Sequence, residues 1–127
     1  MMKKISIQPK VSGDWFYMNE KEISVRDLYD ALLGKGNLEL EIWEEAKVLE
    51  IGYSEKASLD FEMLRPYFKD KEGDEYLKKN DIHALFMVTF DESDFEIVVP
   101  IMKCIVLTCG GFFIEDQMDF NQSTIIR

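Results

Sequence analysis

The sequence predicts a single α+β domain over residues 1–127: a mostly antiparallel sheet, two main helices packed on one of its faces, and a C-terminal β-α-β unit. The chain has 127 residues, which is the size of one domain. Hydrophobic residues make up 46% of it, which is enough for a core without disulfides. Apolar residues alternate with polar ones in several segments and recur at helical spacing in two others.

The N-terminal residues predict two short strands. Ile5 and Ile7 alternate with polar residues, and Pro9 confines that strand to an edge or an end. A turn signal at 12–14 precedes the apolar run 15–18, which is the second strand and forms a hairpin with the first in this interpretation.

A helix is predicted over 24–33. Ser24 is a residue type that caps helix N-termini, and Gly34 is the type that follows a helix end. Between them the apolar residues recur three or four positions apart: Val25, Leu28, Tyr29, Leu32 and Leu33.

Residues 37–54 predict a β-hairpin with its turn at 44–46. Leucine and isoleucine alternate with glutamate on both sides of that turn, which is typical of half-buried strands with their glutamates in water. One helix over 41–51 is the alternative, because glutamate and alanine favour helices. The alternation on both sides favours the hairpin.

The middle of the chain is less regular. Residues 59–63 alternate and predict either a strand or a short helix capped by Ser58. Residues 69–80 are rich in charge and contain Gly73, so we expect an exposed loop or a loosely held helical turn there.

The C-terminal part predicts a β-α-β unit over 83–115. The continuous apolar run 84–90 is typical of a central strand. A capping box of Ser93 and Glu96 begins a long helix that ends at the glycines after Cys109. The alternative is a strand over 95–99 with the helix beginning at Pro100. Strand 112–115, with a weak continuation to Phe120, then runs parallel to strand 84–90.

Charge limits the classes of partner. The net charge is −10, and residues 37–62 carry eight acidic and two basic side chains. Nucleic acid binding requires a basic face, and anionic membranes attract basic segments, so neither partner is expected. A basic partner protein fits this charge. The alternative is that the acidic residues only maintain solubility.

The termini and hydropathy predict a cytoplasmic protein. The N-terminal lysines resemble the start of a signal peptide, but no apolar segment follows them. The longest apolar stretch, 97–109, is interrupted by Pro100 and Lys103 and is too short to span a membrane.

No catalytic, cofactor or metal signature is found, so the sequence predicts that the protein is not an enzyme. His83 is the one histidine, and we expect it to form local hydrogen bonds at a strand end. Cys104 and Cys109 lack the spacing of a redox or zinc pair and are interpreted as reduced, buried thiols. No phosphate-binding or dinucleotide-binding glycine motif occurs.

A group of acidic residues around one aromatic residue is the candidate partner-binding site. If the hairpin forms, two glutamates project from one strand face with a third on the facing strand, and like charges so placed are unfavourable without a cationic partner. Tryptophan beside carboxylates is common at interfaces. An ordinary solvated sheet face with the tryptophan in the core is the alternative. The candidate residues are Glu39, Glu41, Trp43, Glu44, Glu45 and Glu50.

These observations predict a protein–protein interaction module. Its most concrete form is an acidic inhibitor or immunity-type protein that neutralises a basic partner such as a toxin. The alternative is a small-molecule-binding or regulatory domain with a pocket between the sheet and its helices. The sequence leaves the oligomeric state open.

Overall fold

Seven strands form one sheet in the computed structural model, which describes residues 12–117 and 120–127. The sheet order is β2-β3-β4-β5-β1-β6-β7, and each hydrogen-bonded pair of neighbours is antiparallel. The strands are β1 (Ser12–Asn19), β2 (Glu39–Trp43), β3 (Val48–Ser54), β4 (Ala57–Leu64), β5 (Ala84–Asp91), β6 (Phe112–Glu115) and β7 (Ile125–Ile126). The helices are α1 (Val25–Leu32), α2 (Lys71–Lys79) and α3 (Phe95–Cys109), with 3₁₀ turns at Glu92–Asp94 and Phe120–Gln122. The predicted α+β class is confirmed.

Strand β1 lies inside the sheet and supplies side chains to both faces. It pairs along its full length with β5 and through four residues with β6. Trp15 and Tyr17 point to the face that carries α1 and α3, while Phe16 and Met18 point to the face that carries α2. Because β1 separates them, β5 and β6 run parallel, as the predicted β-α-β unit requires, but are not neighbours.

The two helices predicted from the sequence pack on one face of the sheet. Leu28 and Leu32 of α1 and Met102 and Ile105 of α3 are fully buried there. We call this face the α1/α3 face. Its core includes side chains from β1, β3, β4, β5 and β6, so apolar groups fill the space between the sheet and these helices.

The start of α1 is capped as predicted, whereas α3 has no side-chain cap of its own and follows a capped 3₁₀ turn. At α1, the backbone N–H of Ser24 donates to the Asp27 carboxylate over 2.8 Å, which completes a capping box as Ser24 also accepts from Asp27. The predicted capping box of Ser93 and Glu96 is wrong. Instead the Asp91 carboxylate, at the end of β5, accepts from the N–H of Ser93 over 3.0 Å and begins the 3₁₀ turn before α3. The long helix through Pro100 is confirmed, and the strand over 95–99 is wrong.

The hairpin over β2 and β3 is confirmed, and residues 57–64 form a strand rather than a helix. Two other predictions are wrong. Residues 12–14 continue β1 instead of forming a turn, because they pair with the end of β5. The strand predicted from residue 112 ends at Glu115 without a continuation to Phe120, which begins a 3₁₀ turn, and a further short strand, β7, follows. The strand predicted around Ile5 lies outside the described residues.

Residues 69–80, predicted as a loop or a loose turn, contain helix α2. The Asp70 carboxylate caps it by accepting from the N–H of Gly73 over 2.7 Å. Leu77 is buried against the sheet, and Gly73 is buried at the helix start. The sequence does not predict this helix, because only two of its residues are buried and one of them is glycine. Glycine disfavours helices locally, and here it is needed for close packing at the helix start. We call the face that α2 covers the α2 face.

A buried polar network fixes the end of α3 to the sheet. The Tyr17 hydroxyl donates to the carbonyl of Gly110 over 2.6 Å, and the Asn19 amide donates to the Tyr17 oxygen over 2.9 Å and to the carbonyl of Cys109 over 3.0 Å. Burial raises the pKa of Tyr17 well above its usual range, which keeps the hydroxyl a neutral donor. Gly111 is required at the following turn, because a Cβ there would lie 2.4 Å from the carbonyl oxygen of Met18.

The substitution Gly73→Ala tests whether α2 packs as described. Alanine favours helices over glycine by about 1 kcal/mol. A Cβ at this position, however, would lie 2.8 Å from the Asp70 carboxylate and 3.1 Å from the Cβ of Phe68. We expect the free energy of unfolding, measured by urea denaturation, to fall by about 1 kcal/mol or more. Glu75→Ala on the exposed side of α2 is the control and should change it by less than about 0.5 kcal/mol. A stabilised Gly73→Ala protein would contradict the packing of α2.

Candidate functional site

Four of the six predicted site residues lie together on the α2 face of the sheet. Leu40 and Ile42 of β2 pack toward the α1/α3 core, so the residues that alternate with them project to the opposite side. Glu39, Glu41 and Trp43 are these residues, and all three are exposed. The register places Glu50 of β3 directly opposite Glu41.

The acidic residues form a row across neighbouring strands. Glu41 pairs with Glu50, Glu50 pairs with Asp60 of β4, and Asp60 pairs with Thr89 of β5. Glu62, two residues along β4 from Asp60, projects from the same face. We call this surface the acidic half-face, defined by Glu39, Glu41, Glu50, Asp60 and Glu62.

Sequence reasoning missed two residues of the acidic half-face, Asp60 and Glu62. Their signal was present, because both alternate with the apolar residues of 59–63. It was usable only once that segment was known to be a strand. Their place beside Glu50 depends on pairing between β3 and β4, which alternation within one segment does not specify.

The pKa of Glu50 is raised above its ordinary value in the folded chain. Partial burial of its carboxyl is the largest cause, and the charges of Asp60 and Glu41 add to it. Within the described residues, neither Glu41 nor Glu50 has a cationic side chain in ion-pair distance. Ionised carboxylates placed opposite each other on a sheet are destabilising, so the free protein carries an uncompensated repulsion here.

The remaining two predicted residues, Glu44 and Glu45, lie in the hairpin turn and not on the acidic half-face. The guanidinium of Arg26 on α1 donates to the Glu44 carboxylate, with its Nε 3.0 Å from Oε1. This ion pair ties the turn to α1 and directs Glu44 away from the acidic half-face. Glu45 is exposed at the turn.

A shallow groove crosses the acidic half-face where β3 lacks a side chain. Gly52 lies between Glu39 of β2 and Ser58 of β4 in the register, so this row of the sheet has a gap. The groove has a volume of about 230 Å³. Its lining comprises Glu39, Glu41, Glu50, Gly52, Ser58 and the turn residues 54–57. The turn residues contribute one cation, Lys56, and one carboxylate, Glu55. Carboxylates therefore outnumber cations four to one in the lining, which suits an extended cationic side chain.

Trp43 lies at the end of β2 opposite Val48, two residues beyond Glu41 on the same side of the sheet and outside the lining of the groove. Its side chain is 45% exposed, so it is not the core residue of the alternative interpretation. A half-exposed indole offers a large apolar surface and one N–H donor, which is typical of residues that anchor protein interfaces.

Other surfaces of the described residues are also open to ligands. A groove of about 510 Å³ lies at the α2 face, where Phe16, Phe68 and Phe120 form its apolar walls. The predicted alternative, a small molecule between the sheet and a helix, would occupy this groove. The outer side of α3 exposes Ile97 and Leu107, with Leu107 87% exposed.

The residues considered for chemistry lie apart from the acidic half-face. His83 is exposed immediately before β5, with Nδ1 2.8 Å from the carbonyl oxygen of Glu20 and Nε2 3.8 Å from the Asp81 carboxylate. Its hydrogen bond therefore reaches a residue distant in the sequence rather than a neighbour on its own strand end. Cys104 and Cys109 are free, half-buried thiols, and burial raises the pKa of Cys109. Over the described residues, no three histidine, cysteine or acidic side chains are grouped to hold a metal ion.

Among residues 12–117 and 120–127, no helix has the length and apolar character needed to cross a bilayer.

Comparison with protein-family models, with curated proteins and with solved structures gives no match to this chain. Function is therefore inferred from the side chains and their arrangement.

The repulsion in the acidic row predicts the effect of Glu50→Gln. The raised pKa means that ionisation of Glu50 costs more in the folded chain than in the unfolded one, so this cost is present above the folded pKa and disappears as pH falls below the unfolded value. We expect Glu50→Gln to raise the free energy of unfolding by about 0.5 kcal/mol at neutral pH and to have no effect near pH 3.5.

Urea denaturation at both pH values checks this prediction. Glu22→Gln, in the exposed connection before α1, is the matched control and should be neutral at both. A loss of stability in Glu50→Gln at neutral pH would show that the carboxylate is compensated in the free protein.

Proposed function

We propose that this chain is a protein–protein interaction module that binds a basic surface of a partner protein on its acidic half-face. The row of Glu41, Glu50 and Asp60 across three adjacent strands supports this proposal most strongly. In the free chain, repulsion among these carboxylates lowers the stability of the fold. Beside lysine or arginine side chains the same carboxylates are attracted, so binding reverses the sign of the interaction.

The surface has shape as well as charge. Solubility alone requires scattered carboxylates and gives no role to an exposed indole or to a groove. Here Trp43 supplies an apolar anchor, and the gap above Gly52 supplies a recess lined by Glu39 and Glu50. An aromatic anchor surrounded by polar groups is the usual composition of an interface centre and its rim.

We further propose that the module is an inhibitor or immunity-type protein and that its partner is a basic protein such as a nuclease toxin. A net charge of −10 on 127 residues creates a field that accelerates encounter with a basic partner. Fast association matters most to a protein that must neutralise its target before the target acts.

Charge removal on the acidic half-face tests the proposed function. The triple variant Glu41→Gln, Glu50→Gln, Asp60→Asn keeps side-chain shape and removes three charges. Glu44 is left unchanged, because Arg26 already pairs with it. The control variant Glu22→Gln, Glu75→Gln, Asp81→Asn removes three exposed charges elsewhere.

Each protein is immobilised and exposed to lysate at low and moderate salt, and the affinity of the recovered basic protein is then measured by calorimetry. We expect the wild type and the control to retain one basic protein stoichiometrically, with affinity that falls as salt rises. The triple variant should bind it at least about tenfold more weakly. Equal affinity for the wild type and the triple variant would contradict the proposal.

The substitution Gly52→Ala tests the groove without changing charge. A Cβ at Gly52 would lie 3.4 Å from the carbonyl oxygen of Glu39, so the methyl group fits and raises the groove floor. We expect the affinity for the recovered partner to fall about fivefold or more, with the salt dependence unchanged. Ser54→Ala, at the groove rim, is the control and should bind as the wild type does. Full affinity in Gly52→Ala would show that no partner side chain enters the groove.

A further inference from the structure

Strand β2 is the first strand of the sheet that the described residues form, and within those residues it pairs on one side only, with β3. In the described part of the chain, no backbone group of a turn, loop or cap hydrogen-bonds to residues 39–43. An exposed edge of this kind is a template for one more strand. At the other end of the described sheet, β7 has only the two residues Ile125–Ile126.

The two sides of this edge differ chemically. On the α1/α3 face, Leu40 and Ile42 are half-buried at the margin of the core. On the α2 face, Glu39 and Glu41 are exposed. A strand added beside β2 would therefore place alternate side chains against apolar groups and against carboxylates.

We propose that the partner adds an extended segment to the outer edge of β2, in which basic residues alternate with apolar ones. This inference rests on the proposed function and names the form that the partner takes at the acidic half-face. Main-chain hydrogen bonds to β2 supply affinity in this mode, and the alternating side chains supply specificity. The basic side chains lie beside Glu39 and Glu41 on one face of the sheet, and the apolar side chains lie beside Leu40 and Ile42 on the other.

Charge complementarity favours a partner segment over a second copy of this chain. Antiparallel pairing of two β2 strands centred on Glu41 would oppose Glu41 to itself on one face, and parallel in-register pairing would do so at Glu39 as well. Like charges directly opposite each other destabilise a sheet. Each copy also carries a net charge of −10. A basic segment relieves the repulsion that a second copy would increase.

The test uses synthetic peptides of about seven residues, which is the length of a typical strand. One peptide alternates lysine and valine, and a second has the same composition with its lysines and valines in separate blocks. Two further versions of the alternating peptide carry N-methyl groups, one on the lysine amides and the other on the valine amides. Because successive amides of a strand point to opposite edges, only one of these versions leaves the edge facing β2 intact.

We expect the alternating peptide to bind at least about tenfold more tightly than the block peptide. One N-methylated version should lose binding about tenfold or more, and the other should retain it. On binding, hydrogen exchange should slow at those amides of 39–43 that do not pair with β3. Equal effects of the two methylated versions, or unchanged exchange in β2, would overturn the inference.

The triple variant Glu41→Gln, Glu50→Gln, Asp60→Asn separates this inference from the proposed function. If alternating and block peptides bind the wild type equally and both lose affinity to the variant, the acidic half-face binds basic partners but not through the edge. If the variant binds every peptide as the wild type does, the proposed function fails. Size-exclusion chromatography of the chain alone should show a monomer, and a dimer broken by the alternating peptide would assign the edge to a second copy.

Discussion

Unequal cover on the two faces of the sheet is the constraint from which the rest of this structure follows. On one face α1 and α3 bury apolar side chains from β1, β3, β4, β5 and β6. On the other, the apolar cluster under α2 and Phe120 takes residues from β1, β5 and β6 and reaches only the end of β4 at Leu64. No residue of β2 or β3 belongs to it. Uncovered strands must present polar side chains to water, and here they present carboxylates.

The same constraint explains why the acidic half-face has a defined geometry. The hairpin of β2 and β3 and its pairing with β4 are fixed by the apolar residues on the covered face, because a one-residue slip would expose them. The carboxylates on the opposite side are therefore aligned by a core they do not contact. The Arg26–Glu44 ion pair holds the hairpin turn to α1, and Tyr53 of β3 donates to Asp94 at the start of α3 over 2.6 Å. These two contacts connect the hairpin to the helices of the covered face.

Local patterns in the sequence were sufficient for the elements that contain their own signal. Alternation identified β2 and β3, and the Ser24 cap with its apolar spacing identified α1. The same reasoning failed at α2, whose helical character depends on Asp70 as a cap and on the close fit of Gly73 against Phe68. Charge and glycine in that segment are typical of a loop, whereas tertiary packing stabilises a helix there.

The candidate site was predictable in part for a related reason. Glu39, Glu41 and Glu50 lie in one hairpin, so their proximity follows from local sequence. Asp60 joins them through the pairing of β4, and the groove exists because Gly52 falls between two particular residues of neighbouring strands. The position of β1 between β5 and β6 is likewise a non-local pairing that a short segment cannot encode. The chemical character of the surface was therefore evident from the sequence, and its extent was not.

Site-specific photo-crosslinking in living cells tests most directly where this chain meets its partner. An aromatic photoreactive side chain replaces Trp43 at the margin of the acidic half-face, Leu107 on the outer side of α3, or Gln117 at the groove of Phe16 and Phe68, one position at a time. The account predicts that position 43 captures one basic protein and that positions 107 and 117 do not. Capture of a protein at position 107 or 117, with none at 43, would contradict the assignment of the acidic half-face as the binding surface.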